Sequence, residues 1–77
     1  MTVKKYVKRY LEEIFALMMK TLDDVTDAQW SNNETRLYAR GHDEYDEVIE
    51  ESGAILDKII YDVEQYQGEI QDMLDDL

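Results

Sequence analysis

Two pairs of carboxylates, Glu47 with Glu50 and Glu69 with Asp72, have the spacing in this sequence that could do chemistry. Carboxylates three apart share a helix face, and two such pairs facing each other would offer the oxygen ligands that magnesium takes. Here nineteen residues separate Glu50 from Glu69. At helical rise that is about 28 Å, too far to share one ion. His42 is the only histidine and there is no cysteine, so a thiolate nucleophile and a cysteine-bound zinc are both excluded. His42 follows Gly41, which reads as a helix-ending glycine, where a cap or a solvent-facing side chain is the ordinary role. The expectation is a protein with no catalytic residues, no metal and no cofactor.

The Glu-x-x-Glu and Glu-x-x-Asp pattern resembles that of the all-helical, magnesium-dependent nucleotide pyrophosphohydrolases. The resemblance implies a helical fold and release of pyrophosphate from nucleoside triphosphates. In that family the pairs sit on separate helices, whereas here both fall on what reads as one. A second resemblance is to the small secreted helical hairpins with a Trp-x-Gly turn. Here the turn reads Trp30-Ser31-Asn32 without the glycine, and Tyr66 is followed four residues later by Ile70 instead of an acid.

Charge is more informative. Nineteen acids against eight bases leave a net charge of −11. Residues 1–20 carry five bases and two acids, a net of +3, while residues 41–77 carry thirteen acids and one base, Lys58, a net of −12. Direct nucleic-acid binding through the acidic half is excluded, because phosphate contacts need Lys and Arg. A basic partner protein is the natural expectation. The bland alternative is that acidity keeps a small helical subunit in solution. Neither end resembles a targeting signal, and the apolar run 14–19 is too short to span a bilayer. The expected location is the cytoplasm of a bacterial cell, away from membranes.

The elements that must carry these charges read as helices throughout. With no proline and three glycines, little interrupts them. Val3, Tyr6, Val7, Tyr10, Leu11, Ile14, Leu17, Met18, Leu22 and Val25 recur at threes and fours and predict a first helix over about 3–24. Its early bases Lys4, Lys5, Lys8 and Arg9 oppose the helix dipole. An antiparallel partner would bring Glu69, Asp72, Asp75 and Asp76 to them. Lys8–Glu12 and Arg9–Glu13 are candidate pairs along the helix.

Thr26-Asp27-Ala28-Gln29 and Ser31-Asn32-Asn33-Glu34 both fit capping boxes, and Gly41 fits a C-cap. A short connecting helix over about 32–40 follows, with Trp30 plugging the end of the bundle. The alternative is one bent helix kinked near Gly41. Tyr45, Ile49, Ser52, Leu56, Ile59, Val63, Tyr66, Ile70, Met73 and Leu77 alternate at four and three and predict a long helix over about 43–75. Within it, Gly53 asks for close approach by another backbone or by a large side chain, with Phe15 and Trp30 as candidates.

The expected architecture is all-α: one domain over 1–77, a small bundle of two long antiparallel helices joined by a short one. Helix content of roughly 75–85% follows, with a core of Val7, Leu11, Ile14, Leu17, Met18, Ile49, Leu56, Ile59, Val63 and Ile70. The last helix outreaches the first by about 10–15 Å, which exposes part of the seam and favours a homodimer. Its acidic face, Asp43, Glu44, Asp46, Glu47, Glu50, Glu51, Asp57 and Glu64, is the expected partner-binding surface. In size, charge and helicity the chain is similar to the small acidic DNA-mimic inhibitors that phages make against restriction or CRISPR systems. That resemblance implies a non-enzymatic protein that blocks a basic, nucleic-acid-binding surface.

Overall fold

The computed structural model describes residues 2–77 as a helical hairpin. Helix α1 runs Val3–Tyr38, a 3-10 turn covers Asp43–Tyr45, and helix α2 runs Asp46–Asp75. Helix accounts for 91% of the described residues, above the range the composition suggests, and there is no strand among them.

The excess comes from the middle of the chain. No break separates residues 24 and 32, so the expected short helix over 32–40 is the end of α1. The reason lies in the hydroxyls. Thr21, Thr26, Ser31 and Thr35 each donate back to the carbonyl four residues earlier (2.7–3.4 Å). Donation to the i−4 carbonyl is the alternative that such side chains have to capping. Asn32, the centre of the second apparent capping box, is used across the hairpin. Its Nδ2 donates to the Ile49 carbonyl (3.0 Å) and to the Ser52 hydroxyl (3.2 Å). The helix that the boxes were to start is therefore never started. Trp30, two turns before the helix ends, points outward and is 66% exposed, so it plugs nothing.

The chain reverses over residues 39–45. The Ala39 N–H donates to Thr35 O (2.8 Å), and the His42 N–H donates to Ala39 O (2.8 Å). Gly41 sits at φ +89, a left-handed conformation that suits glycine, and this rules out a single bent helix through Gly41. At the other end Thr2 caps α1, its hydroxyl accepting from the Lys5 N–H (3.4 Å).

One seam joins the helices. On α1 the covered positions are Leu11, Phe15, Met18, Leu22, Val25, Gln29 and Asn32; on α2 they are Ile49, Gly53, Leu56, Ile60, Val63, Gln67, Ile70 and Leu74. Both series step by four and three, the coiled-coil spacing. The α2 seam shares Ile49, Leu56, Val63 and Ile70 with the expected one. The alternate positions lie one residue later, however, so Ser52, Ile59, Tyr66 and Met73 are exposed. Ile14 is half-buried, as expected, while Val7 and Leu17 are 41% and 65% exposed. Either set of alternate positions keeps the four–three rhythm. What α1 can fill decides between them. Gly53 is the clearest case: a Cβ there would stand 3.1 Å from Asn32 Oδ1. Asn32, and neither Phe15 nor Trp30, accounts for that glycine.

The register follows from cross-hairpin neighbours. Asn32 lies against Ser52 and Gly53, Gln29 bonds Asp57, and Phe15 and Leu22 share a groove with Gln71 and Glu64. Continued at equal rise, this puts Leu77 beside roughly Lys8. With 36 residues against 30, α1 overhangs α2, the reverse of the expected order. The continuity of α1 through residues 25–31 is the cause.

Candidate partner-binding surface

Helix α2 carries a ladder of acids beside its seam. Glu50, Asp57 and Glu64 recur every seven residues, so they lie along one flank about 10.5 Å apart. All three are exposed. Gln29 donates its amide to the Asp57 carboxylate and orients it, while Glu64 stands beside Phe15 and Leu22 at a second groove. Near the hairpin loop, Glu47 and Glu51 project from the outer face of α2 and are exposed too. Asp46 and Glu47 lie in its first turn and Asp43 and Glu44 in the 3-10 turn before it, where the helix dipole favours negative charge.

The helix start thus accounts for the position of Asp43, Glu44, Asp46 and Glu47. It does not account for Glu50, Glu51, Asp57 or Glu64. Among the described residues, only two pairs of a basic with an acidic side chain approach within 4.0 Å. They are Arg9 with Glu13 (3.7 Å) and His42 with Glu44 (3.7 Å), both local and exposed. Such pairs contribute about 0–1 kcal/mol. Lys8–Glu12 is not among them. Nor does any ion pair bridge the helices: the bases at the start of α1 do not reach Glu69, Asp72, Asp75 or Asp76, although the helices are antiparallel as expected.

Arg36 comes nearest to relieving the ladder. With Gln29, Asn33, Glu50 and Asp57 it lines an open polar groove of about 450 Å³, yet it makes no ion pair with either acid. That groove was not visible in the sequence. The seven-residue recurrence of Gln29 and Arg36 beside Asn32 is the signal that would have shown it, once residues 25–38 are taken as helix. All eight expected acids are brought to one end and one flank of the hairpin, without a base in contact apart from His42 on Glu44.

Metal binding has no support from the geometry. Glu47, Glu50, Glu69 and Asp72 all lie on α2, and no three His, Asp or Glu side chains among the described residues come together as ligands. The donor set therefore does not fit the magnesium site that the pyrophosphohydrolase pattern implies. No helix among the described residues is long and apolar enough to cross a membrane.

A second surface was not anticipated as a unit. On the flank of α2 opposite the acids stand Tyr45, Ile59, Tyr66 and Met73, with Val48 and Ile55 beside them, and all are exposed. Tyr45 lines a groove with Thr35 and Tyr38 of α1, which places the two helices' exposed apolar residues on the same side at the loop end. The hairpin thus has an acidic flank and an apolar one. No protein-family model, curated protein or solved structure matches this chain.

Proposed function

We propose that this protein is a non-enzymatic interaction module whose acidic flank occupies a basic, nucleic-acid-binding surface of another protein. The observation that carries the reading is charge density on a straight scaffold. Ten of the thirty residues of α2 are acidic, against the single base Lys58. Over about 45 Å of helix, that is one negative charge per ~4.5 Å counted over all its faces, with Glu50, Asp57 and Glu64 about 10.5 Å apart along the flank itself. A single nucleic-acid strand carries one per about 3.4 Å. A basic groove built for phosphates would gain the same counterion release from this rod as from DNA or RNA. In this reading the protein works in a bacterial cytoplasm, in the manner of a phage inhibitor of a host or defence factor.

The test is capture of partners from a bacterial lysate, followed by competition between the protein and duplex DNA for the captured partner. Binding should weaken steeply between low and moderate salt. Glu47→Lys, Glu50→Lys and Glu51→Lys in one chain should abolish the competition. Undiminished competition by that variant, still helical by circular dichroism, would overturn the reading.

A second reading is favoured by the apolar flank: a structural or regulatory helical subunit whose acidity serves solubility. Its partner would bind through Ile59 and Tyr66 and would scarcely respond to salt.

A further inference from the structure

We infer that the apolar flank is the interface of a homodimer, in which two hairpins pack face to face and end for end into a four-helix bundle. The hairpin exposes more surface than a chain of its mass should. A folded chain of 9.2 kDa is expected to expose about 4,900 Å². This one exposes 6327 Å². The excess of about 1,400 Å² per copy gives about 2,800 Å² for two, within the 2,000–5,000 Å² that permanent homodimers bury. Shape agrees: the radius of gyration is 17.8 Å, against about 11.5 Å for a compact domain of this length.

The seam between the helices is also thin. Among the described residues only Leu11 and Ile49 are buried, at 9% and 8% exposure, and no disulfide reinforces them. Chains this small commonly complete their core by association. The uncovered apolar surface is also concentrated. Tyr10 and Leu17 on α1 share a flank with Ile55, Ile59 and Tyr66 on α2, set apart from the acid ladder by the seam. Asp24 and Asp62 interrupt this flank at mid-length, so the contact area lies in two end stretches.

Charge selects the orientation. Lys4, Lys5 and Lys8 at the open end have no acid within 4.0 Å among the described residues, while Asp43, Glu44 and Glu47 crowd the loop end. An end-for-end pair sets each copy's bases beside the other's acidic loop. A pair with both loops at one end would set acid against acid. A two-fold axis across the middle of the hairpin satisfies the first arrangement and gives an isologous interface. It leaves Glu50, Asp57 and Glu64 facing outward, so the dimer is independent of the proposal made for them.

Sedimentation equilibrium on the full chain is the test, and it needs no target. The parent should sediment at twice the 9.2 kDa chain mass across the micromolar range. Ile59→Glu with Tyr66→Glu should halve that mass, whereas Tyr61→Glu on the outer face, at a more exposed site, should not change it. A parent that sediments as a single chain overturns the inference, and so does a double variant that stays paired. Because separated hairpins can lose their helicity, a second measurement stands beside this one. An axis across the hairpin lays α1 over the α1 of the second copy, run the other way, and Tyr10 and Tyr38 lie equally far from its middle at Asp24. A mixture of Tyr10→Cys chains and Tyr38→Cys chains should therefore oxidise to the mixed disulfide. Predominant pairing of like with like, or no more disulfide than Tyr61→Cys chains form, would overturn the end-for-end bundle.

Discussion

The two flanks of α2 are built from the same helix, and both repeat every seven residues beside the same seam. One reads Glu50, Asp57, Glu64 and Gln71; the other reads Ser52, Ile59, Tyr66 and Met73. Both are exposed, for the same geometric reason. A hairpin of two helices can cover one seam and leaves the ground on either side of it open. What differs is the consequence of exposure. Carboxylates in water keep their hydration, so exposure itself costs them nothing, and a line of them acts at a distance on cations. Tyrosine, isoleucine and methionine in water forgo the stabilisation of burial, about 25 cal/mol per Å². The acidic flank is stable as it stands, and the apolar flank is incomplete. A narrow two-stranded coil needs apolar residues only in its seam; a helix with a second stripe beside it is shaped for a larger bundle.

The largest expected effect lies in the seam beneath both flanks. Ile49→Ala empties the best-buried position between the flanks and should destabilise the chain by about 2–5 kcal/mol in urea or thermal unfolding. Leu56→Ala, one turnover of the repeat further along and half-buried, should cost less. If the two variants cost the same, the seam is buried evenly and its thinness is misjudged.

Next in size is the contact that sets which flank is which. Asn32→Ala removes the amide bonds to the Ile49 carbonyl and the Ser52 hydroxyl and should cost about 1 kcal/mol. Gly53→Ala sharpens the same point. Alanine is better than glycine inside a helix by about 1 kcal/mol, but here its methyl meets Asn32 Oδ1 at 3.1 Å. In the parent the two effects should nearly cancel, and in the Asn32→Ala background the substitution should stabilise by about 1 kcal/mol. A double-mutant cycle on melting curves reads the coupling, and additive effects would mean that Asn32 does not hold the register.

The smallest effects belong to the flanks themselves. Glu47→Lys, Glu50→Lys and Glu51→Lys should each shift stability by less than about 0.5 kcal/mol, since all three side chains are exposed and unpaired. Tyr66→Ser should be equally mild in a dilute sample and grow more costly as chain concentration rises, because mass action stabilises only a chain that can pair. Melting temperatures of the parent taken over a hundredfold range of concentration check this, and curves that superimpose would make the two flanks equivalent.

The antiparallel order of the long helices was expected from a charge match at their ends, and it is observed although no ion pair forms there. The helical character and the helix end at Gly41 were legible in the sequence through local physics: a 3.6-residue period, the absence of proline, and a glycine that can adopt positive φ. The clustering of acids was legible for the same reason, since residues close in sequence on one helix stay close in space. Two things required the tertiary structure. One is the continuity of α1 through residues 25–31, where capping and back-bonding compete for the same hydroxyls and the balance is tipped by a partner helix that engages Asn32. The other is the side of the seam. Ile49, Leu56, Val63 and Ile70 combine equally well with Ile59 and Tyr66 or with Ile60 and Gln67 by spacing. By hydrophobicity alone the former pair is the better choice. The opposing helix chose the latter, because an asparagine on α1 needs the space that Gly53 leaves and the carbonyl that Ile49 offers. Periodicity tells how often a helix turns its face to a partner; only the partner settles which residues that face includes.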